Sequence, residues 1–208
     1  MVKLSGPAMS LDASGKLGKS LVFSKWKGRN YARSLVTPAN PKSAGQIGVR
    51  AMFRWLSQIW ASLTTSNKAT WDERAAQTTI SAFNAFMAHN QTRFRNFLAP
   101  TKEDPAAEAA STGTIGALTA VGGVRQITVS QAITTAGNLW GIAFFRSPTG
   151  TFSPSFSNLV HVGTISGTNP VVFVDTPLDD GTYYYDTRGI TVSGAWTADT
   201  GEVSETLP

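Results

Sequence analysis

The apolar residues of this chain change period near residue 100, and that change confines the fold to helices followed by strands. Before it, Val49, Phe53, Leu56, Trp60 and Leu63 step by 4, 3, 4 and 3, which places them on one helical face. Met52, Trp55 and Ile59 widen the stripe. Thr64 to Asn67 closes this helix and caps a second, Lys68 to Gln77, which carries Trp71. A third runs from Ser81 to Phe97 with Phe83, Phe86, Met87, Phe94 and Phe97 as its apolar side. Three helices with short connections read as a small bundle. From Ile115 onward the texture is all-β. Apolar or alternating runs recur at Gln126–Ile133, Leu139–Arg146, Val171–Val174, Thr182–Ile190 and Glu202–Leu207, with turn residues between them. Short strands at that spacing predict a β-sandwich.

Residues 99–114 contain no bulky apolar side chain and read as a linker. Charge changes sign across it. Residues 1–99 hold 14 of the 18 Lys+Arg but 3 of the 13 Asp+Glu, a net charge of +11, whereas residues 100–208 carry −6. Such asymmetry predicts a basic module that docks on something acidic and an acidic module that faces elsewhere. Residues 1–38 read as a basic extended arm. Ser20–Trp26 and Asn30–Val36 are β-prone runs joined by Lys27-Gly28-Arg29, the signature of a β-hairpin. Thr37-Pro-Ala-Asn-Pro41 breaks the chain before the helices. The expected organisation is therefore α+β and multidomain: an arm at 1–38, a helical domain at 39–98, a linker at 99–114 and a sandwich at 115–208.

The arm carries the candidate partner-binding residues. They are Lys16, Lys19, Lys25, Lys27, Arg29 and Arg33, interleaved with Phe23, Trp26 and Tyr31. Three readings are open: protein docking, nucleic-acid binding through phosphate contacts and stacking, and a merely solvated hairpin face. Residues two apart share a strand face, so Phe23 and Lys25 lie on one side and Ser24 and Trp26 on the other. Neither face is purely basic, which favours docking over a phosphate track.

Catalytic chemistry is not legible. The chain has no cysteine, and His89 and His161 lie in different modules without thiolate partners, so zinc spacing fails. His89 reads as a solvent or cap residue and His161 as an exposed strand position. Asp175, Asp179 and Asp180 read as turn residues ahead of a calcium cluster. Gly15-Lys-Leu-Gly-Lys-Ser20 has too few residues between its glycines for a phosphate loop. No catalytic residue, metal or cofactor is expected. Met1 to Ser20 lack the apolar core of a signal peptide, and no apolar run approaches the roughly 18 residues of a membrane span, so the expectation is a soluble, non-membrane protein made in a cytoplasm.

Two stretches resemble known families. Gln126-Ile-Thr-Val-Ser130, Leu139-Trp-Gly-Ile-Ala-Phe-Phe-Arg-Ser147 and Phe173 to Asp186, with Asp-Thr-Pro-Leu followed by Gly-Thr-Tyr-Tyr-Tyr, resemble a fibronectin type III-like domain over 115–208. The early-strand tryptophan of that family is absent, with Ser130 and Gln131 near its place. Trp140 or Trp196 is expected to fill the sandwich core instead. Gly15-Lys-Leu-Gly18, Lys25-Trp-Lys-Gly-Arg-Asn-Tyr-Ala-Arg33, Thr37-Pro-Ala-Asn-Pro41, Gln46, Arg50 with Phe53, Trp60 and Trp71 resemble an uncharacterised family of tailed bacteriophages and prophages over 13–98. That resemblance implies a virion structural protein present in multiple copies, with other capsid or tail proteins as partners. Capsid decoration or cement is the first expectation, and a neck, collar or tail-accessory place the second. Nucleic-acid binding and host-surface binding through the sandwich are the alternatives.

Overall fold

The structure, a computed structural model, describes residues 3–4, 13–18, 20–26, 29–36, 40, 42–106, 112–165 and 169–208. The described residues form a mixed α+β protein with three helices and several antiparallel sheets, and the chain divides into two compact units, 1–41 and 42–208.

The first unit is a four-stranded antiparallel sheet in chain order: β1 (Lys3–Leu4), β2 (Ala13–Leu17), β3 (Leu21–Trp26) and β4 (Arg29–Ser34). β3 and β4 pair from Leu21↔Ser34 to Trp26↔Arg29. β2 joins the other side of β3 through Gly15↔Phe23, Lys16↔Val22 and Leu17↔Leu21. Gly18, at φ +60°, supplies the left-handed residue that a short hairpin connection requires.

The second unit begins with α1 (Ala44–Ser62), α2 (Thr65–Thr78) and α3 (Ala82–Arg95). Thr64 and Ser81 cap α2 and α3 by accepting from the Asn67 and Asn84 amides. Seven strands follow: β5 (Thr114–Gly123), β6 (Gln126–Thr135), β7 (Leu139–Ser147), β8 (Leu159–Thr164), β9 (Val171–Asp175), β10 (Gly181–Thr191) and β11 (Val203–Leu207). They form two sheets, in the orders β11-β10-β7-β8 and β5-β6-β9. One apolar core fills the space between the sheets, with Leu118, Ile127, Val129 and Val171 against Ile142, Phe144 and Tyr185.

A second core lies on the opposite face of the four-stranded sheet, and it changes the expected organisation. Met52, Trp55, Leu56 and Ile59 of α1, Trp71 of α2 and Phe86 and Phe94 of α3 pack there with Trp140, Ala143, Phe145, Leu159, Val162 and Ile190 of the strands. The helices thus share their core with the sheet, so the separate helical domain at 39–98 and sandwich at 115–208 are replaced by a single unit. The helical stripe is also rotated from its expected centre. Phe53 is exposed, and the buried face is Gly48, Met52, Trp55, Leu56 and Ile59. α1 comes close to the chain before β8 because residue 48 is glycine. A Cβ there would collide with the Phe156 carbonyl oxygen, a backbone atom that cannot swing aside. Gly48→Val is expected to lower the stability of the unit by about 1–3 kcal/mol through this overpacking, read as a lower urea midpoint at unchanged m-value.

The expected linker at 99–114 is not a linker over 99–106, and Thr114 already belongs to β5. Ala99 and Thr101 are fully buried. Asn90, itself buried, donates to the Thr101 carbonyl at 3.1 Å and accepts its amide at 2.8 Å. The Trp71 indole donates to the Lys102 carbonyl, Arg93 to the Ala99 and Gly194 carbonyls, and Arg74 forks onto Asp104. This strap needs no apolar side chain, because long-range polar groups satisfy its backbone.

Trp140 and Trp196 are corrected as well. A bulge between Ile190↔Gly141 and Thr191↔Leu139 leaves Trp140 as the extra residue and aims it at the helices. Its ring meets Trp55 edge-on at 4.8 Å. Trp196 stacks on Phe97 and donates to the Phe97 carbonyl. In the inter-sheet space it is Gln131 that is fully buried, donating to the Gly116 and Ala132 carbonyls and accepting from the Thr187 hydroxyl.

Candidate docking surface

The described residues among those singled out in the arm fall on the two faces of the 1–41 sheet, and register decides which. Directly paired residues share a face, as do residues two apart along a strand. Lys16 pairs with Val22 and Val22 with Arg33, and Tyr31 and Arg29 follow on the same side of β4. One face therefore gathers Lys16, Arg33, Arg29 and Tyr31 around Val22. The opposite face gathers Leu17, Leu21 and Phe23, with Lys25 beyond them. Leu17 and Leu21 are 53% and 37% exposed, and Tyr31 on the basic face is 41% exposed, so both faces carry apolar surface within reach of a partner. Trp26 occupies the strand end opposite Arg29. Lys19 and Lys27 lie outside the described residues.

Sequence reasoning missed Leu17, Leu21 and Val22. Their signal is present in the turn-prone Gly18 between two leucines, but β2 is too glycine-rich and short to read as a strand alone. The charge also belongs to this unit more narrowly than the split at residue 99 suggested. Residues 1–41 hold 7 Lys+Arg and 1 acid, and residues 42–208 hold 11 and 12. Between Asp12 and Asp72 there is no Asp or Glu at all, so the basic face has no acidic neighbour in its own strands.

No model of a known protein family matches the chain, and no curated protein matches it. Among solved structures, a catalytically inactive OgpA from Akkermansia muciniphila in complex with an O-glycopeptide is similar at 11% identity with a TM-score of 0.35. Wild-type OgpA is similar at 12% identity with a TM-score of 0.31. Each likeness covers 49% of this chain, which spans 30% of the length of those chains.

Several titratable groups of the 42–208 unit are engaged in its packing. Asp175 accepts from Arg146 at 2.7 Å and from the Tyr185 hydroxyl at 3.0 Å, and Asp179 pairs with Arg125 at the surface. Among the described residues no group of three or more His, Asp or Glu is placed to hold a metal. No helix among them is long and apolar enough to cross a membrane.

The histidines are not at the exposed positions expected for them. The His161 ring stacks on Phe173 at 4.5 Å and sits beside Phe144, while His89 lies against Trp71 at 5.4 Å. Burial lowers the pKa of both, with Arg54 adding to the effect at His161 and Arg74 and Arg93 at His89, partly opposed by Asp175 and Asp104 respectively. The unfolded chain then binds more protons than the folded one from the ordinary value of 6.5 down to the lower folded value. Stability contributed by these rings is full above that window and falls as pH falls through it. The urea midpoint is expected to drop as pH goes from neutrality into this window, and to drop less in His161→Phe. An equal slope in that variant would contradict the assignment.

Proposed function

We propose that the chain is a non-enzymatic structural protein of a tailed-phage virion, which docks by its N-terminal sheet onto an acidic surface of a capsid or tail protein. Capsid decoration or cement is the place that suits it first. The observation that carries this reading is the partition of the 1–41 sheet: Lys16, Arg29, Arg33 and Tyr31 on one face, Leu17, Leu21 and Phe23 on the other, and no acid in its strands. A thin sheet with apolar residues exposed on both faces is completed by a partner, and charge selects which partner. The phage resemblance of 13–98 supports the setting, and repeated sites on a particle would bind many copies.

The facing sheets of 42–208 support a fibronectin type III-like reading for that part. In chain order the first, second and fifth strands make one sheet, and the third, fourth, sixth and seventh the other. An antibody constant domain differs only in the sheet taken by its fourth strand. This unit serves as the body that the docked sheet holds in place.

The test is incorporation of the variant carrying Lys16→Glu, Arg29→Glu and Arg33→Glu into particles assembled with wild-type partners. Charge reversal across a docking face costs several kcal/mol, so incorporation is expected to be lost. Undiminished incorporation would contradict docking through this face.

A further inference from the structure

β4 is the outer strand of the N-terminal sheet, and all six of its residues are exposed. The Leu35 amide donates to the Ser20 carbonyl at 2.7 Å, which marks Ser20 and Leu35 as a hydrogen-bonded pair of the β3–β4 ladder. Bonded and non-bonded pairs alternate along an antiparallel ladder. Counting back through the register, Val22/Arg33 and Ser24/Tyr31 bond across to β3, whereas Leu21/Ser34 and Phe23/Ala32 do not. The amide and carbonyl groups of Ala32 and Ser34 therefore point away from β3, toward the outer edge of the described sheet. They are the first rungs of a further ladder.

We propose that this edge takes up an extended segment of a partner protein as a fifth strand, and that acidic residues alternate with apolar ones along that segment. The inference rests on the docking reading above and specifies its mode, which is strand addition. Side chains of the added strand opposite Arg29, Tyr31 and Arg33 share the face of Lys16, where carboxylates meet Arg29 and Arg33 directly, with Lys16 farther across the same face. Those opposite Ala32 and Ser34 share the face of Leu17, Leu21 and Phe23. Ala32 and Ser34 are small, which leaves room for an apolar side chain of the newcomer to reach toward Phe23 and Leu21. A second copy of β4 lacks the carboxylates that this face calls for. Antiparallel self-pairing centred on Tyr31 sets Arg29 opposite Arg33 twice, and like charges directly opposite one another destabilise a ladder.

The probe is a labelled synthetic octapeptide of alternating glutamate and valine, titrated against the full chain by fluorescence anisotropy. Methylating every second amide of the peptide, on its bonding edge, is expected to weaken binding at least about tenfold, because ladder bonds carry the affinity. The protein is unchanged in that comparison, so its folding is not in question. Ala32→Pro removes the outward amide and, being an edge position, is tolerated by the sheet itself. It is expected to weaken binding by a similar factor, with the circular dichroism spectrum retained. Equal binding of the methylated and parent peptides would overturn strand addition. So would a short single-stranded DNA that binds more tightly than the peptide and is indifferent to Ala32→Pro. Particle incorporation separates the two levels. If Ala32→Pro incorporates fully while the triple charge reversal fails, docking stands and strand addition is refuted. If both incorporate fully, docking itself is refuted.

Discussion

Trp55→Ala is expected to lower the stability of the 42–208 unit by about 3–5 kcal/mol, the range for removing a large aromatic from a core that cannot collapse around the gap. Trp55 is fully buried and lies where helix meets sheet. Its ring rests on Gly141, where a Cβ would stand 2.6 Å from it, and it meets Trp140 edge-on. Its indole N–H donates to the Thr164 hydroxyl at 3.1 Å, tying the middle of α1 to the end of β8. Since both elements rely on this one side chain, helical and strand signals should be lost together, in one transition shifted to lower urea. Separate transitions, with the strands keeping their wild-type midpoint, would show that helices and sheets fold independently.

Asp175→Ala is expected to cost about 3 kcal/mol or more, because it leaves the Arg146 guanidinium without its partner at a largely buried position. The side chains of Arg146 and Asp175 are 24% and 10% exposed, and the pair joins β7 of one sheet to β9 of the other. The fully buried Tyr185 loses its acceptor at the same time, and its pKa, which burial and then the neighbouring Asp175 raise, is expected to fall back toward the ordinary phenol value. Replacing both charges by apolar groups, Arg146→Met with Asp175→Leu and Tyr185→Phe, should cost much less than Asp175→Ala alone. A triple variant no more stable than the single one would mean that packing, not the unpaired charge, sets the effect.

The sequence announced these elements unequally, for physical reasons. The 3.6-residue period placed α1 and α3, since a stripe of apolar residues marks a buried face, and the cap residues Thr64 to Asn67 placed α2. A stripe does not say what covers it, so the sheet beneath α1 stayed hidden. The clue was in Leu139–Ser147, whose near-continuous apolar run is buried on both faces; a two-sheet sandwich buries one face of each strand, and a second buried face demands another layer. The strap at 99–106 was illegible because Asn90, Trp71, Arg74 and Arg93 hold it through its backbone, a pattern that composition cannot reveal. In the N-terminal unit the cations and aromatics were visible as residues. Within β3 the sorting of Phe23 and Lys25 away from Ser24 and Trp26 was visible too; the gathering of Lys16 with Arg29 and Arg33 was not, because it depends on β2 pairing through Lys16↔Val22, and Ala13–Leu17 lacks strand-forming residues.

The central claim, docking by the N-terminal sheet, is tested most directly by deleting residues 1–34 and measuring how much protein enters particles. Residues 42–208 hold both apolar cores described for that unit, so the shortened chain should keep the urea midpoint of the full chain while failing to incorporate. Incorporation at the full-length level by a shortened chain with that midpoint would contradict the claim.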